Sequence, residues 1–119
     1  MARYVDGFVI PMQKRKVKEY LRQAQFGARL WKKHGAVAYM ECVGEDLKAS
    51  FGMMGFKKLA RLRPGETVVF AYIVYRSRAH RDRVNAAVMK DPAMQDPAVM
   101  QAMPFDPKRM AMGGFEVLV

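Results

Sequence analysis

The residue types that do chemistry fall in three places along this chain. Tyr39 and Glu41 stand two apart in the apolar run Tyr39-Met40-Glu41-Cys42-Val43. In an extended strand such a pair shares one face, so a phenol and a carboxylate lie side by side. A carboxylate on a buried strand face is costly unless it is paired. In an apolar pocket it becomes a general base or a ligand-orienting group with a raised proton affinity. An ion pair with one of the many arginines, or a solvated strand edge, is the plainer use. Asp6, the one carboxylate between Tyr4 and Ile10, poses the same choice. His80 follows Ser77 by three residues. If Ser77 caps a helix, His80 sits in its first turn, where an imidazole can act as acid or base near neutral pH. Arg78, Arg81 and the positive helix end make the same turn an anion site. The plainer reading is an exposed residue at a helix start.

Weaker candidates surround these. Trp31 lies on the apolar face of a helix and walls either a core or a pocket. Asn85 in a second helix and Arg109 before the last strand are further ligand-binding candidates. His34 precedes Gly35 and is suited to bonding a carbonyl at a helix end. Cys42 is the single cysteine. It forms no internal disulfide, and nothing near it in sequence activates it, so a packed, inert thiol is expected. The two histidines, His34 and His80, cannot make an HExxH or HxxxH pattern. Met100 and Met103 are too sparse for a copper site. With no GxGxxG, P-loop or metal motif, no cofactor and no metal are expected.

These residues must be positioned by strands and helices. Tyr4 to Ile10 reads as a strand ended by Pro11. Lys14 to His34 reads as a long helix, with Val17, Tyr20, Leu21, Ala24, Ala28 and Trp31 on one face. Arg15, Lys16, Arg22, Lys32 and Lys33 lie opposite, and Gly35 follows as a C-cap glycine. Val37 to Val43 is a second strand, Gly44 to Gly65 an irregular stretch, and Thr67 to Tyr75 a third strand. Arg78 to Lys90 is a second helix, with Ala79, Val84, Ala87 and Val88 apolar. A short helix is expected near Ala98 to Met103 and a last strand over Met110 to Val119. The order β-α-β-β-α-β is that of a ferredoxin-like α+β fold with one antiparallel sheet and both helices on one face. The 119 residues suit one domain over 1–119.

The strands are apolar on both faces: Val68, Phe70, Tyr72 and Val74 alternate with Val69, Ala71, Ile73 and Tyr75. Helices on one side leave the other uncovered, and a second copy, sheet against sheet, is the economical cover. The chain is therefore expected to be a homodimer. Its net charge of +10, from 21 Lys+Arg against 11 Asp+Glu, favours anionic partners or is simply a solvated surface. RNA is an alternative partner, supported by the Lys14-Arg15-Lys16, Lys18, Arg22 cluster. It is disfavoured because the third strand lacks the glycines and basic residue of an RNA-recognition motif. No apolar run is long enough for a membrane helix, and no signal-peptide layout opens the chain, so a cytoplasmic protein is expected.

Several motifs in order then carry a resemblance. Trp31-Lys32-Lys33-His34-Gly35-Ala36 leads into the Tyr39 to Val43 run. Pro64-Gly65-Glu66-Thr67-Val68-Val69-Phe70 leads to Ile73-Val74-Tyr75-Arg76-Ser77-Arg78-Ala79-His80-Arg81-Asp82. Met103-Pro104-Phe105-Asp106, Lys108-Arg109-Met110 and Gly113-Gly114-Phe115-Glu116 follow. Together they resemble the YbaA-like family of bacterial proteins of unknown function, over nearly the whole chain. The departure is greatest in Gly44 to Arg63, where Lys57 follows Phe56 in place of a common proline. That family is similar to the dimeric α/β-barrel superfamily. The resemblance implies paired ferredoxin-like sheets and a pocket between each sheet and its helices. It also implies that a ligand there is a small, anionic or aromatic molecule, with cofactor-free monooxygenase- or isomerase-like activity as the enzymatic option. A structural or regulatory role without a ligand is the other option.

Overall fold

The structure, a computed structural model, describes residues 2–101 and 103–119, with the backbone alone at Met100 and Gln101. The strands are β1 (Tyr4–Gln13), β2 (Ala38–Val43), β3 (Glu66–Tyr75) and β4 (Ala111–Glu116). The helices are α1 (Val17–Lys33), α2 (Phe56–Leu59), α3 (Arg78–Lys90) and α4 (Pro97–Gln101), with 3₁₀ turns at Lys14–Lys16, Pro92–Gln95 and Pro107–Arg109. The sheet is antiparallel in the order β2-β3-β1-β4, the ferredoxin-like arrangement that the sequence order predicts.

β1 runs three residues past its expected end at Ile10, through Pro11, and the register shows why. Pro11 is opposite Val68, whose carbonyl points to β2, where it accepts from Gly44 N–H at 2.8 Å. The main-chain nitrogen of Pro11 therefore points toward β4, and β4 pairing has already ended at Val9↔Ala111. The missing N–H leaves no ladder bond unmade. The first helix also starts later than its apolar period suggests, because Lys14–Lys16 form a 3₁₀ turn.

α1 ends where Gly35 takes a φ of +107°, with Ala36 N–H bonded to the Trp31 carbonyl at 3.0 Å and Gly35 N–H to that of Lys32 at 3.1 Å. Such an end favours glycine. The buried stripe of α1 is Tyr20, Ala24, Gly27 and Leu30. It is rotated from the expected one, so Leu21 faces water. Ser77 caps α3, its Oγ accepting from His80 N–H at 3.1 Å.

The helices cover the face that carries Asp6, Phe8 and Ile10 of β1, Tyr39 and Glu41 of β2, and Val69, Ala71 and Ile73 of β3. Two core clusters form there. One joins Ile10, Met12, Tyr20, Ala24, Val69 and Ala71, the other Leu30, Ile73, Tyr75, Val84 and Val88. The other face is open except at the Pro11–Val68 row, where both residues are buried. Between the rows Pro11–Val68 and Val5–Val74 it presents valines, alanines, Met40, Cys42, Phe70, Tyr72 and Phe115, without a charged side chain. Phe70 is 44% and Phe115 59% exposed. Cys42, expected to be packed, is exposed there too.

Candidate functional site

A cavity of about 850 Å³ opens between the sheet and the helices, within the size range of small-molecule sites. Its walls are mostly apolar: Phe8, Ile10, Ala71 and Ile73 from the sheet, Phe26 and Trp31 from α1, and Met89, Met94, Val99 and Phe105 from the segments after α3 begins. Glu41 sits on this wall between two phenols. Tyr20 Oη donates to its Oε1, and Tyr39 Oη donates to its Oε2 at 2.8 Å. Burial, and then Glu41, push both phenols well above the usual tyrosine range, so both stay protonated as donors. Each carboxylate oxygen keeps a lone pair for one more donor.

The approach depends on a glycine. A Cβ at Gly27 would stand 2.5 Å from Tyr39 Oη and 3.2 Å from its Cζ. Glycine in mid-helix costs about 1 kcal/mol against alanine, and here it lets the Tyr39 ring lie close to α1. Trp31 backs that ring at 6.2 Å between centroids.

A second polar network borders the cavity. Asn85 Oδ1 accepts from Trp31 Nε1 and from Tyr75 Oη, each at 3.1 Å, and its Nδ2 lies 3.4 Å from Asp6 Oδ2. Arg81 Nη1 donates to Asp6 Oδ1 at 2.7 Å and its guanidinium lies over the Tyr4 ring at 4.9 Å. The buried Asp6 is thus paired with a cation and an amide. Across β3, Asp6 is level with Ile73 and Glu41 with Ala71. Strand spacing puts their α-carbons roughly 12 Å apart, two polar stations in one apolar space. Among the described residues the charged side chains lining the cavity are Asp6, Glu41 and Arg22.

The family model described as "Protein of unknown function (DUF1428)" matches residues 3–107. The chain belongs to the DUF1428 family. It is 37% identical over 117 residues to the "Uncharacterized protein YbaA" of Escherichia coli K12, covering 98% of this chain and 97% of that one. The protein of the same name from Shigella flexneri matches equally, at 37% over 117 residues. Among solved structures, a dimeric ferredoxin-like protein from an uncultured marine organism superimposes with a TM-score of 0.67. It covers 100% of this chain and 98% of that one at 10% identity, which speaks for the fold. The family resemblance and the ferredoxin-like class read from the sequence are both borne out.

In this DUF1428 chain the structure brings Glu41, Tyr39, Trp31, Asn85 and Asp6 to one cavity. His80, Arg78 and Arg109 lie elsewhere. His80 is buried in the first turn of α3, its Nδ1 accepting from Arg76 N–H at 2.9 Å and its ring edge-on to Tyr75. Burial, then Arg76 and Arg83, lower its pKa against a smaller contribution from the Gly35 backbone. Its role in these contacts is to hold the β3–α3 corner against Gly35, whose added Cβ would come within 3.5 Å of Nε2. Arg78 is exposed at the start of α3. Arg109 forks onto Glu66, with Nη1–Oε2 at 2.6 Å and Nη2–Oε1 at 2.9 Å, at the far end of the sheet. His34 bonds a carboxylate rather than a carbonyl: Asp91 Oδ2 at 2.7 Å, alongside Lys33 at 3.0 Å. The Met100 side chain lies outside the described residues. No cluster of three or more His, Cys, Asp or Glu suited to a metal, and no helix long and apolar enough to cross a membrane, occurs among the described residues.

Sequence reasoning missed Tyr20 and Gly27. Tyr20 was legible as a member of the inward stripe, and its hydroxyl needs a partner when buried. Nothing local named Glu41 as that partner. Gly27 in the middle of an otherwise good helix was the available signal of a close approach.

Proposed function

We propose that the chain is a homodimer in which each protomer binds a small aromatic molecule in the sheet–helix cavity. The ligand is uncharged overall and presents a hydrogen-bond donor to the Tyr20–Glu41–Tyr39 cluster. The observation that carries this reading is Glu41, a carboxylate held between two phenols on an apolar wall. Such a group accepts a ligand hydroxyl and is placed to take its proton, which makes proton abstraction the chemistry this geometry supports. An anion is disfavoured there, because the lining charges are two carboxylates and one guanidinium. The net charge of +10 sits elsewhere. The marine neighbour is a dimer by its description. The uncharged open face of this sheet suits a second copy better than RNA, which needs cations beside the stacking rings.

Fluorescence titration with 2-naphthol, set against 2-naphthoate, tests the site. Wild-type protein binds 2-naphthol more tightly than 2-naphthoate, and Glu41→Gln weakens 2-naphthol about tenfold, roughly 1.4 kcal/mol. Equal or tighter binding of the anion, or undiminished binding by Glu41→Gln, overturns the reading. Native mass spectrometry of freshly purified protein tests the assembly. A particle of twice the 13.6 kDa chain mass is expected; a monomer refutes the dimer.

A further inference from the structure

The connection between β2 and β3 is unusual for neighbouring antiparallel strands. Hairpin loops generally span about 2–5 residues, whereas this one leaves the ladder at Gly44 and returns at Gly65. Its second half is anchored to its own chain. Phe56 stands edge-on to Phe70 on the open face, with centroids 6.3 Å apart. Arg109 Nη2 donates to the Arg61 carbonyl at 2.9 Å, and Arg63 N–H donates to Glu66 at 2.7 Å.

The tip of the first half, Phe51 to Met54, has no such cover. Phe51 is 95% exposed, and Met53 and Met54 are exposed beside it. They sit on a tight turn closed by Met53 N–H to the Ser50 carbonyl at 3.0 Å. In that turn Phe51 takes a φ of +58°, a region that bulky residues avoid at a cost of order 1–3 kcal/mol. An aromatic ring presented to water from a strained backbone is unfavourable twice over.

We propose that this segment is a clasp, in which Phe51, Met53 and Met54 of one protomer seat on the open sheet face of a second copy. The inference rests on the homodimer reading above and adds to it the part that holds the two sheets together. Area favours the clasp. At about 4.8 Å between strands and 3.3 Å per residue, the charge-free face spans at most roughly 450 Å², while a stable interface buries about 800 Å² per partner. One Phe and two Met side chains are the right size to supply most of the shortfall, a buried aromatic alone covering about 150–250 Å². Charge points the same way. Two copies at +10 repel each other, so their contact must be neutral or carry the opposite sign. The tip, Phe51 to Gly55, is uncharged, and at the exposed root Glu45 and Asp46 outnumber Lys48. Shape agrees as well. The Cα radius of gyration is 15.2 Å, against about 13.5 Å for a compact chain of this length, and the thinnest extent is 20 Å. The protomer is a slab.

Photo-cross-linking of the full chain with p-benzoylphenylalanine at position 51 tests this, using an equal mixture of 15N-labelled and unlabelled protein. Cross-links between position 51 and the open face in peptides of hybrid isotope mass are the expected result. Cross-links confined to one chain, or none, in protein that sediments as a dimer overturn the clasp and leave the dimer standing. Sedimentation as a monomer removes both. Phe51→Asn supplies an independent reading, because asparagine accepts the positive φ and the ring is solvated in the protomer. The fold, read by far-UV circular dichroism, is unchanged and the dimer dissociation constant rises about thirtyfold, as for loss of an interface anchor. An unchanged constant overturns the clasp.

Discussion

Gly27→Ala tests whether the cluster depends on close approach of α1 to Tyr39. Considered as a helix alone, the substitution stabilises by about 1 kcal/mol. In the fold, the new Cβ would stand 2.5 Å from Tyr39 Oη. That ring is stiff, with two side-chain torsions, and it is held by Glu41 on one side and Trp31 on the other. It must swing away, and the 2.8 Å bond to Glu41 goes with it. Loss of a hydrogen bond to a charged group costs about 1.5–3 kcal/mol. The net effect is a destabilisation of roughly 0.5–2 kcal/mol, or a fall in Tm of roughly 2–10 °C for a domain of this size. The control is Tyr39→Phe. Without the hydroxyl the worst contact disappears and the tightest remaining one is 3.2 Å, to Cζ. In that background Gly27→Ala becomes neutral or stabilising by up to about 1 kcal/mol. Thermal denaturation of the wild type, both single variants and the double variant gives a coupling energy of about 0.5–3 kcal/mol. If Gly27→Ala is stabilising in the wild-type background and the coupling is near zero, the argument for Gly27 fails.

Other expectations follow from titrating groups. His80 has a lowered pKa in the fold, so below its ordinary value of 6.5 the unfolded chain binds the proton and the folded one resists it. Stability therefore falls as pH drops through and below that value, and His80→Asn removes this slope in urea titrations between about pH 7 and 5. Tyr20 and Tyr39 have raised pKa values, so their contribution is complete below the ordinary value of 10.0 and is lost as pH rises above it. Absorbance at the phenolate band shows the two phenols ionising at lower pH in Glu41→Gln than in the wild type, and coincident curves would contradict the pairing. Arg109 holds Glu66 at about 2, below its usual 4.5. That contribution is present above pH 4.5 and is lost as pH falls through about 2. Arg109→Ala costs about 2 kcal/mol at neutral pH and flattens the acid limb, which equilibrium unfolding measures directly.

Most of the fold was legible because period and punctuation are local. The alternation in Thr67 to Tyr75, the Ser77 cap and Gly35 after the first helix each fix an element without reference to distant residues. The end of β1 was not legible, because whether Pro11 breaks a ladder depends on where β4 stops. The inward stripe of α1 was read one step off, since Leu21 is a better apolar residue than Gly27. The buried position nevertheless belongs to the glycine, because the Tyr39 ring occupies the space a side chain would fill. Tyr39 and Glu41 were legible as a pair from strand spacing alone. Tyr20, on a different element, completes their cluster through a contact that no spacing encodes.

His80 shows the same limit from the other direction. Its position three residues after a capping serine is equally consistent with a pocket-facing imidazole and with a buried corner. Gly35, far away in sequence, decides it by leaving room for the ring. Net charge misleads in a related way. A chain at +10 suggests anionic ligands, yet α1 turns most of its cations outward, and the sheet places Asp6 and Glu41 on the cavity wall. The field a ligand meets inside is set by the few groups that line an apolar, weakly screened space rather than by the total on the surface. In this protein the two differ in sign, so the ligand we propose follows from the cavity lining and not from the composition.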